Sequence, residues 1–280
     1  MPVTTSHQDA ATKTVDVGGT SFAYRDLGPR TGTPVVFLNH LAAVLDNWDP
    51  RVVDGIALHH RVITFDNRGV GASEGRTPSS IAEMAKDASA FIRALGFDQV
   101  DLLGFSMGGF VAQVIAEEQP DLVRKIILAG TGPAGGEGID KVTLLTYLDM
   151  ARGALTLHDA KFYLFFTETA NGRSEARAFL KRLKERTEDR DKAISVPSFR
   201  AHLKAIHGWG VQQPTDLSRI QQAVFVANGD HDRMVPSHNS ADLARRLPNA
   251  QLKIYADAGH GGIFQYHAEF VPEALDFLDT

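Results

Sequence analysis

Ser106 is the residue around which chemistry can be organised. It stands in Gly104-Phe105-Ser106-Met107-Gly108-Gly109-Phe110, after the apolar run Val100-Asp101-Leu102-Leu103 and before a helical pattern. Gly-x-Ser-x-Gly between a strand and a helix is the pattern of a nucleophile elbow. So tight a turn needs small residues on both sides of the serine, and it lifts the hydroxyl off the sheet. A helix starting at Met107 would aim its N-terminus at the same point, where negative charge is favoured. A serine hydroxyl is a poor nucleophile until a base takes its proton. Among eleven histidines, His260 is best placed, in Asp257-Ala258-Gly259-His260-Gly261-Gly262 after the last expected strand. His207, His238 and His267 lie in helical or polar stretches with no strand end before them. The base needs a carboxylate to hold its tautomer and stabilise the imidazolium. Asp230 and Asp232 compete in Ala227-Asn228-Gly229-Asp230-His231-Asp232-Arg233-Met234-Val235-Pro236. Asp232 is preferred, because the turn after Gly229 carries it clear of the strand end; Asp230 reads as a loop-capping carboxylate. Asp230, His231 and Asp232 without a second cluster make a poor ligand set, so no catalytic metal is expected.

These residues need a scaffold of strand ends. Val15-Asp16-Val17 and Phe22-Ala23-Tyr24 flank Gly18-Gly19-Thr20 as in a hairpin. Val35-Val36-Phe37-Leu38, Arg61–Phe65, Val100–Leu103, Ile126–Ala129, Ala223–Ala227 and Leu252–Tyr255 read as strands, several of them continuous apolar runs buried on both faces. Helical spacing recurs over Ile81–Leu95, after Met107 until Pro120, near Ala241–Leu247 and over Phe270–Leu278. Such alternation predicts an α/β fold with a mostly parallel, twisted sheet and helices on both faces. It breaks between Pro133 and Pro214, where only helical patterns occur. Residues 133–214 are therefore read as an inserted helical cap, with 14–132 and 215–280 as the core and 1–13 as a flexible tail. The charged stretch Arg173–Lys192 is read as a solvated helix face.

Together these motifs resemble the α/β-hydrolase superfamily over nearly the whole chain. The evidence is the Ser106 elbow, Gly229-x-x-Asp232-x-x-Val235-Pro236, Gly259-His260, and Asp66-Asn67-Arg68-Gly69-Val70-Gly71-Ala72-Ser73. The resemblance implies a triad of Ser106 as nucleophile, Asp232 as acid and His260 as base. It makes the Asp66–Ser73 segment a structural turn, with Asp66 and Arg68 as scaffold. The family usually has His-Gly after its third strand; here Leu38 is followed by Asn39-His40-Leu41-Ala42-Ala43. By position, Leu41 N–H then becomes one oxyanion donor and Met107 N–H the other. His40 stands where the family has glycine, so its imidazole either faces the substrate or packs away. Asn-x-Leu here, and Leu45-Asp46-Asn47-Trp48-Asp49-Pro50 after it, resemble the 3-oxoadipate enol-lactonases and other small-substrate members.

The expected activity is that of a cofactor-independent serine hydrolase acting on an ester or lactone of a small to medium, largely apolar group. Phe162, Phe165, Phe166 and Trp209 of the cap are expected, with His40, to wall the substrate pocket. A carbon–carbon bond hydrolase or a perhydrolase of the cofactor-free haloperoxidase type would use the same triad. A non-catalytic ligand-binding relative is a further alternative. With 29 Lys and Arg against 34 Asp and Glu, the net charge of −5 argues against a nucleic-acid partner. There is no cysteine, so no disulfide or thiolate metal site. No apolar run reaches the roughly eighteen residues of a membrane span, and Met1–Lys13 lacks an apolar core of the signal-peptide type. The chain is thus read as cytoplasmic and off the membrane, either monomer or homodimer.

Overall fold

The computed structural model describes residues 6–280. Eight strands form one sheet: β1 (Lys13–Val17), β2 (Thr20–Leu27), β3 (Val35–Leu38), β4 (Val62–Phe65), β5 (Val100–Phe105), β6 (Val123–Ala129), β7 (Ala223–Gly229) and β8 (Ala250–Tyr255). Their order is β1-β2-β4-β3-β5-β6-β7-β8. The first two are antiparallel to their neighbours and the rest run parallel. Every residue of β3, β4 and β5 is buried; β3 is a continuous apolar run, and the one charge among them, Asp101 of β5, is taken up by Arg124 at 2.5 and 2.9 Å. Edge strand β8 leaves Leu252 and Ile254 exposed to solvent, with only Tyr255 of its residues buried.

Ten α-helices and four short 3-10 helices complete the described chain. The α-helices are α1 (Pro50–Ala57), α2 (Ile81–Ala94), α3 (Met107–Glu118), α4 (Val142–Thr156), α5 (Lys161–Leu164), α6 (Ala170–Arg182), α7 (Val196–Gly210), α8 (His238–Arg246), α9 (Gly262–Gln265) and α10 (His267–Asp279). Local chemistry sets their ends. Ser80 caps α2 by accepting from Glu83 N–H, and Gly96 at φ +79° follows its last turn. Pro120 follows the end of α3, where a helix could not continue. The chain leaves β3 towards β4 on one side and later returns to β5 on the other. The C-terminal ends of β3 and β5 therefore flank a topological switch point, where open α/β sheets bind ligands.

Residues 133–214 hold α4 to α7 and no strand. Two expectations on charge and order are corrected here. Within Arg173–Lys192, Arg182 and Arg186 are buried. Arg182 donates to the Asp49 carboxylate at 2.6 and 3.0 Å and to Phe264 carbonyl at 3.1 Å. Arg186 donates to the carbonyls of His7, Gln8 and Ala10. The described part of the supposed tail, residues 6–12, is thus pinned to the body, with His7 and Ala10 buried; residues 1–5 lie outside the described residues. Most charged residues of the run are exposed, as expected, but these two arginines reach partners far away in the chain, Asp49 and the carbonyls of His7, Gln8 and Ala10.

Asp49 also caps α1, accepting from Arg51 N–H at 3.0 Å ahead of Pro50. Asp49→Ala removes that cap and strands the buried Arg182 guanidinium. Removing one partner of a buried pair costs about 3–5 kcal/mol. The urea midpoint of this variant should fall accordingly, whereas Arg245→Ala, which removes an exposed pair with Asp242, should shift it by less than about 1 kcal/mol equivalent.

Candidate active site

The elbow is built by glycine. A Cβ on Gly108 would overlap the Leu38 carbonyl, and one on Gly104 would come within 2.5 Å of the Gly108 carbonyl oxygen. Backbone therefore passes backbone with no room for a side chain. Ser106, between them, sits at φ +56°, ψ −119°. A non-glycine residue held there costs on the order of 1–3 kcal/mol, and such strain gathers at functional sites. Ser106 N–H donates to Ala129 carbonyl at 2.8 Å, and its own carbonyl accepts from Thr131 Oγ1 at 2.9 Å. The strain is thus held by neighbouring strand β6 and the loop after it.

His260 Nδ1 lies 2.7 Å from Asp232 Oδ2. The other Asp232 oxygen accepts from Met234 and Val235 N–H at 2.8 and 2.9 Å, which fixes the carboxylate plane. His260 also lies beside Gly130, the residue after the β6 end that binds Ser106. Ser106, Asp232 and His260 are 4, 6 and 2% exposed, so the charges they would carry are shielded from water. Among the described residues no hydrogen bond links Ser106 Oγ to His260, a contact that commonly tightens only with substrate. Asp230 points elsewhere: it accepts from Ala258 N–H at 3.1 Å and pairs with exposed His231 at 2.6 Å. No group of three or more His, Asp and Glu among the described residues is arranged to hold a metal ion.

Leu41 and Met107 bring two further backbone N–H groups to the switch point. Neither donates to another protein group among the described residues. Asn39 is scaffold: its amide donates to Phe65 carbonyl at 2.6 Å and its oxygen accepts from Trp48 Nε1 at 2.7 Å. His40 both packs and lines the pocket. Its ring stands edge-on to Phe105 and Phe165, at 5.3 and 5.2 Å, while forming part of a cavity wall. Burial pushes its pKa down to about 3, so the ring is neutral at ordinary pH.

The cavity beside this cluster has a volume of about 290 Å³ and a mainly apolar wall. It meets the cluster at His40, Leu41 and Met234. Of the aromatic residues expected to wall it, Phe165 does so, but Phe162, Phe166 and Trp209 do not. Phe162 packs on His158 and Tyr163, and Phe166 on Phe179. Trp209 stacks on Phe110 of α3 at 5.3 Å and donates to Gly132 carbonyl. All three are helical-segment core. The wall also includes Met150, Leu164, Val196 and Phe199, with Asp159 and Lys161 as its charged members. Phe105, beside the serine, was also missed; it touches His260, Phe165 and Phe264 at 5.0, 5.5 and 4.8 Å.

A family model described as alpha/beta hydrolase fold matches residues 33–265. The chain belongs to the α/β-hydrolase fold family. Asp66 fits the scaffold role expected in this family, accepting from Leu45 and Ala72 N–H at 3.0 and 3.1 Å. Arg68 is taken up by Asp87 at 2.7 Å. A curated member of similar length, the non-heme chloroperoxidase of Streptomyces lividans, is 29% identical, over 94% of this chain and 97% of that protein. An alpha/beta hydrolase fold protein from Chitinophaga pinensis superposes with a TM-score of 0.92 at 41% identity, covering 98 and 99% of the two chains. Est816, described as an N-acyl homoserine lactone degrading enzyme, gives 0.73 at 25% identity, covering 95 and 100%. No described helix is long and apolar enough to cross a membrane.

Proposed function

We propose that this α/β hydrolase is a serine hydrolase that cleaves an ester or lactone carrying a small to medium, largely apolar group. The observation that carries this reading is the buried 2.7 Å contact between His260 and Asp232, beside a strained serine at the switch point. His260 takes the Ser106 proton as Oγ attacks the carbonyl carbon. Asp232 holds the ring tautomer and stabilises the imidazolium. The Leu41 and Met107 N–H groups bind the oxyanion; each such donor contributes roughly 10²–10³-fold in rate. His260 then protonates the leaving oxygen, and water, deprotonated by the same ring, releases the acid. No cofactor takes part in these steps.

The cavity volume lies at the small end for ligand sites, and its apolar wall favours an alkyl or aryl group over a charged one. Hydrolysis of p-nitrophenyl esters from acetate to decanoate tests the reading. Turnover should peak at short to medium chains. Met150→Trp fills the cavity and should lower kcat/KM for the longest accepted ester by about tenfold or more, with little change for acetate. A folded enzyme that turns over no ester or lactone would overturn the reading.

The chloroperoxidase named among the relatives favours a second reading on the same residues. Hydrogen peroxide would replace water in attacking the acyl-enzyme and release a peracid. Peracid formation from acetate and peroxide, faster than ester hydrolysis, would support it.

A further inference from the structure

The loop after β3 is held by two buried histidines from different parts of the chain. Leu41 carbonyl accepts from His40 Nδ1 at 2.9 Å. The other end of the same peptide unit, Ala42 N–H, donates to His202 Nδ1 at 3.2 Å. His202 comes from α7, in the helical segment, and is wholly buried. The partners dictate opposite tautomers: a carbonyl requires His40 to carry its proton on Nδ1, and an N–H requires His202 to carry its proton on Nε2. Burial lowers the pKa of His202 to about 4, so the acceptor nitrogen stays free at ordinary pH.

Ala42 itself needs holding, for it sits at φ +62° without being glycine. The N–H groups after it are tied elsewhere: Ala43 to His40 carbonyl, Val44 to Asn47, and Leu45 to Asp66 and to Asp191 of the helical segment. Ala42 N–H instead reaches across to α7. The 41–42 peptide plane is thus held at both ends, and the preceding 40–41 unit, which carries the Leu41 N–H, is tied through its His40 carbonyl to Ala43 N–H at 3.1 Å, so the two planes that meet at the Leu41 Cα are both restrained.

We infer that His202 is a positioning residue for the oxyanion site: it accepts from Ala42 N–H and, opposite His40, clamps the peptide unit next to the one that carries the Leu41 N–H, limiting rotation about the Leu41 Cα. The inference rests on the reading of Leu41 N–H as an oxyanion donor. It also makes the helical segment part of the site's machinery as well as its wall, since the chain supplies one arm of the clamp from α7.

The test compares His202→Leu, which removes the acceptor, with His202→Asn, whose Oδ1 takes the place of Nδ1. Wild type and Ser106→Ala are assayed beside them. The readouts are kcat, KM and affinity for an alkyl boronic acid, whose tetrahedral serine adduct puts an oxygen where the oxyanion would sit. Misplaced catalytic groups cost up to about 100-fold. The leucine variant should lose about 10–100-fold in kcat and a similar factor in boronate affinity, with KM within about twofold. The asparagine variant should recover most of both. If His202→Leu does not fold, His202→Phe keeps a buried ring without the acceptor and takes its place. Equal losses in the leucine (or phenylalanine) and asparagine variants, or wild-type boronate affinity without the acceptor, would overturn the clamp. If Ser106→Ala is inactive while His202→Leu matches wild type, the clamp alone fails. If Ser106→Ala retains activity, the serine-hydrolase reading fails and the clamp with it.

Discussion

Ser106→Ala should lower kcat by about 10⁴-fold or more on any ester the wild type hydrolyses, because a covalent mechanism has no substitute for its nucleophile. What remains should be the modest rate that oxyanion donors and binding give to direct attack by water. KM should change little, since Ser106 is 4% exposed and offers little surface for ground-state contact. Nor should the fold suffer. Alanine in that position still faces φ +56°, and the bonds that hold the turn run through backbone atoms of residue 106. The variant should therefore unfold near the wild-type midpoint. Retention of more than a tenth of the rate by a folded variant would remove Ser106 from the mechanism.

Asp232→Asn should come next in size, with a loss of about 10⁴-fold in kcat. The amide keeps nearly the shape of the carboxylate but presents an N–H₂ or a neutral oxygen to His260. The Met234 and Val235 N–H groups occupy the other carboxylate oxygen. They orient the amide oxygen towards themselves and the amide nitrogen towards His260. The imidazole then takes the wrong tautomer and can no longer accept the serine proton. Asp230→Asn is the control. Its carboxylate serves the Ala258 N–H and an exposed histidine, so kcat should stay within about tenfold of wild type. The reverse ranking, measured on one good substrate at one pH, would make Asp230 the acid.

The parts of this molecule that depend on backbone were legible in its sequence. Strand runs such as Val35–Leu38 and the glycines about Ser106 encode their own conformation, because few alternatives survive burial or so close a crossing of backbones. The order of serine, acid and histidine along the chain marked three strand ends, and those ends converge in the sheet. Side chains that act across the chain were not legible. Arg182 and Arg186 sit in a run of charge, and Asp49 and the His7 carbonyl, to which they donate, lie more than a hundred residues away. Phe162, Phe166 and Trp209 carry the same apolar signal as Phe165, and only three-dimensional packing decides which of them meets the cavity. His202 showed no signal at all: one histidine on a helix, with nothing local to mark the peptide it grips.

The chain carries two tryptophans, and the fold puts them to different uses. Trp48 is buried against Phe37, Phe105 and Phe264, next to the switch point. Trp209 belongs to α7 and stacks on Phe110. Each is thus a resident optical reporter for one of the two parts that meet at His202. Trp48→Phe leaves an emission that follows the docking of α7, and Trp209→Phe leaves one that follows the core. Recorded together during a denaturant titration, the two would reveal whether the helical segment lets go of the sheet before the sheet itself comes apart.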